Sequence, residues 1–218
     1  MEQDAVKAVR FSRPGDEPAL KALWKVVFGD EDRFIDTFFQ TIYTPGSAAV
    51  AEVDGFIAAA AYVIPFGAAR YIYAVGTHPD YRGRGLGKAV TLAAADGKAA
   101  YLCPADASLA DWYAREMGAE PVSYRRNTVL PTGLAPIPRS EYAARREALL
   151  AGTPHTEYTP EILALFSLNG GFFAGEDGSV YAAEDGLVRE ALPAEPGGEP
   201  YIWGLNGAPP IYWGITLI

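Results

Sequence analysis

The chain has 218 residues, half of them hydrophobic, and a formal net charge of −9. That length fits one large domain, or a standard domain with a smaller companion, with enough apolar material for a core. The charge argues against a nucleic-acid partner, because phosphate contacts are made by Lys and Arg. A single cysteine, Cys103, excludes an intrachain disulfide, and two histidines, His78 and His155, leave little for a zinc site or a Cys/His pair. MEQDAVKAVRF has no apolar signal core, and no run is long enough to span a membrane. The expectation is a soluble, cytoplasmic protein with neither membrane nor nucleic acid as partner.

VKAVRFSRP reads as a short first strand. Leu20, Leu23, Trp24, Val27 and Phe28 then recur at helical spacing and form one apolar face. Asp16, Glu17 and Pro18 suit the first turn of that helix, and Gly29 ends it. Asp30 is expected to cap a second helix carrying Phe34, Ile35, Phe38, Phe39 and Ile42. The period then changes. AAVAEVDGFIAAAAYVIPF is two strand-like runs around Asp54-Gly55, a dipeptide favoured in tight hairpins. ARYIYAVGTHP is a third strand, followed by a glycine-rich turn and a helix. Next come a buried strand in AAYLCP, a helix in DASLADWYAREMGA and a strand in EPVSYRRNTVLP. The order β, α, α, β, β, β, α, β, α, β predicts a mixed α/β layer around a central sheet flanked by helices.

PTGLAPIP is a Pro/Gly-rich break, and it divides the chain into residues 1–130 and 131–218. RSEYAARREALLAG reads as a helix capped by Ser140, and TPEILALFSLNGG as another with Thr159 as cap and Pro160 in its first turn. Three short strands follow around Asp177-Gly178 and Asp185-Gly186. Two helices and then a hairpin echo the first part of the chain. The C-terminal α+β region therefore resembles a partial second copy, without a cofactor loop of its own. The aromatic tail YIWGLNGAPPIYWGITLI is expected to pack on the sheet or on a partner chain, as in a homodimer. Trp203, Tyr212 and Trp213 either wall an acceptor pocket or simply fill the core.

AVGTHPDYRGRGLGKAV, residues 74–90, joins a strand to a helix through alternating arginine and glycine. The first N–H groups of a helix lack internal partners, and the helix dipole adds positive character there. Glycines let the backbone approach a phosphate closely. The stretch therefore reads as a diphosphate cradle; the plainer alternative is an exposed turn. Neither GxGxxG nor GxxxxGK[ST] occurs here. The R-x-x-G-x-G pattern, after a V-x-x-x-P strand end, resembles the acyl-CoA-binding signature of the GNAT superfamily of N-acetyltransferases. The resemblance runs from Val6 to Leu130 with the same order of elements.

The resemblance implies acetyl-CoA as cofactor. The backbone of Val75, Gly76 and Thr77 would hold the pantetheine arm and the acetyl carbonyl. The N–H groups of Arg82, Gly83, Arg84, Gly85, Leu86, Gly87 and Lys88 would hold the pyrophosphate. Tyr113 would protonate the departing thiolate, and Asp106 and Ser108 fall where relatives often contact the cofactor. Two features depart from the pattern: Gly118 comes five residues after Tyr113 rather than four, and Ala119 replaces an aromatic. The shift can aim Trp112 inward instead, and an amphipathic helix can use Tyr113 simply as a core aromatic. Where some relatives place a basic glutamate this chain has Tyr71, which leaves Asp30, Glu31, Asp32, Glu52, His78 and the Ile218 carboxylate as candidate bases. Cys103 is expected to be a buried apolar-like residue rather than a nucleophile. The implied activity is transfer of an acetyl group to a primary amine of a small molecule, in a ternary complex. The acidic balance hints at a polycationic acceptor such as a polyamine or aminoglycoside. The alternative is a non-catalytic acyl-CoA-binding or regulatory module.

Overall fold

The computed structural model describes residues 8–217. The first part of the chain runs through β1 (Ala8–Phe11), α1 (Glu17–Phe28), α2 (Asp32–Thr41), β2 (Ala48–Val53), β3 (Phe56–Phe66) and β4 (Ala69–Thr77). A short 3₁₀ turn (Pro79–Tyr81), α3 (Leu86–Ala95), β5 (Ala100–Leu102), α4 (Ala107–Met117) and β6 (Glu120–Arg125) follow. The second part holds β7 (Ala135–Pro136), α5 (Arg139–Leu149), α6 (Pro160–Phe166), β8 (Gly170–Ala174), β9 (Val180–Glu184), β10 (Leu187–Leu192) and β11 (Glu199–Leu205). The fold is mixed α/β, as the order of elements predicts.

Local chemistry sets most boundaries. Gly29 closes α1 in the left-handed region at φ 76°, donating its N–H to the Lys25 carbonyl. Asp54 and Gly55, at φ 50° and 80°, make the tight β2–β3 turn. Two expected caps are corrected. The N-cap of α2 is Glu31, not Asp30, because the Asp30 carboxylate instead accepts from Trp24 Nε1 at 2.7 Å. Ser140 lies inside the first turn of α5, whose N-cap is Pro138. Thr159 does cap α6, accepting from the Ile162 N–H at 3.3 Å.

The main sheet has seven strands in the order β1-β2-β3-β4-β5-β11-β6. The neighbours β1 to β4 pair antiparallel, β4 and β5 parallel, and β11 antiparallel to both β5 and β6. β11 thus returns from the far end of the chain to lie inside the first sheet, so segments 1–130 and 131–218 share a sheet. A second, antiparallel sheet has the order β10-β9-β8-β7. Strand, two helices and three strands (β7, α5, α6, β8, β9, β10) repeat the order and neighbour pattern of β1, α1, α2, β2, β3, β4.

Two apolar layers cover the main sheet. α3 and α4 lie on one face, where Ala49, Ala51, Ala59 and Ala61 are fully buried beside Leu86, Val90 and Ala94. These small side chains let α3 sit close to the strands. On the other face Trp24, Phe38, Tyr62 and Tyr73 form an aromatic cluster, with Trp24 ring centroids 4.7 Å from Phe38 and 5.1 Å from Tyr62. Trp213 is fully buried 5.1 to 5.4 Å from Tyr71, Tyr101 and Phe66. The tail is therefore core at Trp213, whose side chain packs on β3, β4 and β5 of the main sheet. Arg146 of α5, also fully buried, bonds Glu190 of β10 at 2.9 Å and the Thr156 carbonyl at 2.6 Å. This charged clasp fixes α5 to β10 and to the segment before α6.

Candidate active site

β4 and β5 pair only at Tyr71–Tyr101 and Ile72–Leu102. Beyond that point β4 continues to Thr77 while β5 ends, and the two strands part. On its other side β4 carries an extra residue: Ala60 pairs with Gly76, yet Tyr62 pairs with Tyr73. Ala74 lies in this bulge at φ 47°, a conformation that a residue with a Cβ rarely takes. Bulges of this kind re-aim backbone groups, and such strain concentrates at functional sites. Val75 and Thr77 are half-buried and Gly76 is buried. A Cβ at Gly76 would come within 3.0 Å of Val27 and 3.2 Å of Phe28, so a larger residue here would push on the side chains by which α1 packs on β4.

The chain then turns into α3. Gly83 and Gly85 both take φ 76°, and a Cβ on either would meet nothing within 4 Å, so the surface over the loop is open. Gly85 is the N-cap of α3, and its carbonyl accepts from the Ala89 N–H. The N–H groups of Leu86, Gly87 and Lys88 form the first turn, the part of a helix that attracts anions. Arg82 Nε donates to the Thr77 carbonyl at 3.3 Å, and a Cβ on Gly87 would meet Thr77 Oγ1 at 3.3 Å. The β4 end and the loop are therefore one continuous surface. Arg84 lies over the Tyr81 ring at 5.0 Å. Lys88 reaches away, to Glu116 of α4 at 3.2 Å, and this contact lowers the Glu116 pKa.

Tyr113 is 6 % exposed, in the cluster that includes Ile72 and Leu102, the last paired residues of β4 and β5. Burial pushes its phenol up to about 12, with the neighbouring Thr91 side chain pulling the other way. Thr91 in turn donates to the Gly87 carbonyl at 2.8 Å. Tyr113 is thus linked to the first turn of α3 and stays a neutral phenol. Trp112 is half-buried beside it at 5.0 Å. Asp106 is the N-cap of α4; the Leu109 N–H at 2.8 Å and then Ser108 hold its carboxyl below the usual range. Ser108 is exposed.

The candidate bases are scattered. Glu52 is taken up by Arg10 at 3.0 Å beside β1, with β3 between its strand and β4. Asp32 pairs with Lys25 at 2.9 Å on the surface, and Glu31 caps α2 without a side-chain hydrogen bond. His78 accepts from the Asp80 N–H at 3.3 Å and packs edge-on to Phe56. Ile218 lies outside the described residues. Tyr71 is buried, with its phenol pushed well up, as suits a core residue. Tyr73, one residue before the bulge, is raised by burial and then by the charges of Asp30 and Glu184. Sequence reasoning missed Glu184. It precedes the Asp185-Gly186 turn like any surface acid, and only tertiary packing buries it, raises its carboxyl and pairs it with Arg189 at 3.1 Å. Burial pushes the Cys103 thiol up to about 11, so it stays protonated.

A family model described as "Acetyltransferase (GNAT) domain" matches residues 8–96. No curated protein matches the chain in sequence. Among solved structures, the fold is similar to a GCN5-related N-acetyltransferase from Anabaena variabilis (14 % identity, TM-score 0.58, 84 % of this chain and 53 % of that one). It is also similar to Eis1 from Mycobacterium abscessus (17 %, 0.56, 81 % and 53 %) and to a GCN5-related N-acetyltransferase from Kribbella flavida (20 %, 0.55, 86 % and 57 %). At these identities the likeness is one of fold, and this chain spans little more than half the length of each of the three.

Proposed function

We propose, from the premise that this chain belongs through residues 8–96 to the GNAT acetyltransferases, that it moves an acetyl group from acetyl-CoA to a primary amine of a small molecule. The observation that carries this reading is the parting of β4 from β5 at a strained bulge, directly against the glycine-rich start of α3. Acetyl-CoA supplies an activated acyl thioester. In this reading the backbone of Val75, Gly76 and Thr77 aligns the pantetheine arm. The N–H groups from Arg82 to Gly87, with the open surface over Gly83 and Gly85, receive the pyrophosphate. Lys88 contributes its backbone N–H, since its side chain is engaged with Glu116. Asp106 and Ser108 border the cofactor from the start of α4.

The transfer is direct attack in a ternary complex, because a thiol held at about 11 makes Cys103 a poor covalent relay. Tyr113 gives its proton to the leaving sulfur; it is a neutral phenol at neutral pH, and burial, which raises its pKa, makes it a weaker acid that acts only as charge develops on the sulfur. In this reading Glu184, buried, raised by that burial and paired with Arg189 at 3.1 Å, is the candidate to take a proton from the amine. Holding amine and thioester together supplies much of the acceleration. A cytoplasmic location completes the reading; among the described residues no helix is long and apolar enough to cross a membrane.

Thiol release from acetyl-CoA with a panel of amines tests the activity. Turnover with at least one amine is expected. Saturable acetyl-CoA binding with no turnover across a broad panel would instead assign a binding module.

A further inference from the structure

We propose that the acceptor amine also carries a carboxylate, and that Arg125 holds it in a cavity between the two sheets. This rests on the transferase reading above. The cavity has a volume of about 550 Å³, the size of a small-molecule site, and is lined by Arg125 and Tyr201 of the main sheet and by Tyr181, Arg189, Glu190 and Tyr212.

Around it Glu190 is fully engaged by Arg146, Tyr142 and Tyr158. Arg189 Nη2 pairs with Glu184 at 3.1 Å, and Arg126 at the rim pairs with Glu195 at 3.1 Å. Arg125 is left over. Its guanidinium lies 4.5 Å above the Tyr201 ring, and its buried Nη1 has no acceptor among the described residues. Arg189 Nε is likewise buried without an acceptor. Two guanidinium nitrogens without a protein acceptor face one cavity, where an anion would satisfy them with charge-assisted hydrogen bonds stronger than those of water. A guanidinium fork matches a carboxylate in two-point geometry. With Glu199 opposite Arg125 in the β6–β11 register and Glu147 also on Arg146 at 3.0 Å, the local positive excess is at most small, which suits a monoanion better than a phosphate dianion.

Position connects this cavity to the chemistry. Trp203 of β11 pairs with Leu102, the last residue of β5. In that antiparallel register Tyr201 lies level with Pro104, beyond the end of β5, where β4 has already parted from it. An acceptor with its carboxylate on Arg125 thus has its amine on the side of the parted strands. The overall acidity of the chain suggests a polycationic acceptor; the local charge points to one that is anionic at one end.

The test is initial-rate kinetics at saturating acetyl-CoA with matched acceptors, L-amino acids against their carboxamides. The wild type is expected to favour the carboxylate-bearing member by about tenfold or more in kcat/KM, chiefly through KM, as a charged hydrogen bond allows. That preference should fall to near one in Arg125→Gln and survive in part in Arg125→Lys. A wild-type ratio at or below one overturns the proposal, as does a preference that persists in Arg125→Gln. If Arg125→Gln fails to fold, the wild-type ratio and Arg125→Lys decide. If neither class is acetylated but another amine of the panel is, this proposal fails and the transferase reading stands; if no amine is acetylated, the transferase reading fails instead. Calorimetric titration with the same pairs then decides this proposal: saturable heat confined to the carboxylates supports it, and equal or absent heat overturns it.

Discussion

Tyr113 and Cys103 lie on opposite faces of the sheet, and burial acts on both in the same direction. For the phenol, a pKa pushed up to about 12 leaves it neutral but a weaker proton donor to the departing thiolate. For the thiol, a pKa near 11 withholds the nucleophile. Tyr113→Phe is therefore expected to lower kcat by about a hundredfold, the lower end for a lost general acid, with little change in acetyl-CoA affinity. Equal kcat in the variant would reject Tyr113 as the acid and leave it a packing residue. Cys103→Ser is expected to keep the kinetics of a ternary complex, with intersecting initial-rate plots when both substrates are varied. Loss of turnover in that variant would point to a covalent relay. At this scale the sequence was only partly legible. Tyr113 and Cys103 could be picked out from their segments. Glu184, Arg125 and Arg189 could not, because nothing local distinguishes a buried charge from a solvated one. The Ala74 bulge was equally hidden, since alanine gives no signal of a positive φ.

Elements fared better, because helical and strand periods are local. The aromatic spacing of α1 and α2, the Asp54-Gly55 turn and the glycine-rich entry to α3 all announce themselves in sequence. The two misplaced caps show what local reading misses: Asp30 was drawn away by a tertiary partner, Trp24 Nε1. The loop before α3 is the element on which cofactor affinity depends. Gly85→Val puts a branched side chain at φ 76°, costing about 1–2 kcal/mol in backbone strain and displacing the first N–H groups of α3. Arg84→Glu reverses a charge beside them. Each is expected to raise the acetyl-CoA Kd by about tenfold, ~1.4 kcal/mol, in a calorimetric titration. Unchanged affinity in both would move the phosphates off this loop.

The arrangement of the whole molecule was the least legible, because strand pairing over long separations leaves no local trace. A division at residue 130 follows from the Pro/Gly-rich break, yet β11 lies between β5 and β6. The repeated order of strands and helices supports reading the second sheet as a partial copy of the first, with its final strand lent to the main sheet. A chain ending at Leu130 would lose β11 and the Trp213 packing. Removing a buried Trp side chain alone typically costs about 3–5 kcal/mol. Such a fragment is expected to show no cooperative thermal transition by circular dichroism, and a sharp transition near that of the full chain would show that residues 1–130 fold independently.

The central claim is that this fold moves an acetyl group to nitrogen, and isotopic label in the acetyl group of acetyl-CoA follows that step most directly. With amino acids, amino-acid amides and polyamines as acceptors, the account predicts label in a new amide of at least one of them, with one thiol released per label transferred. Binding of acetyl-CoA with no labelled amide from any class, or thiol release by hydrolysis alone, would contradict it.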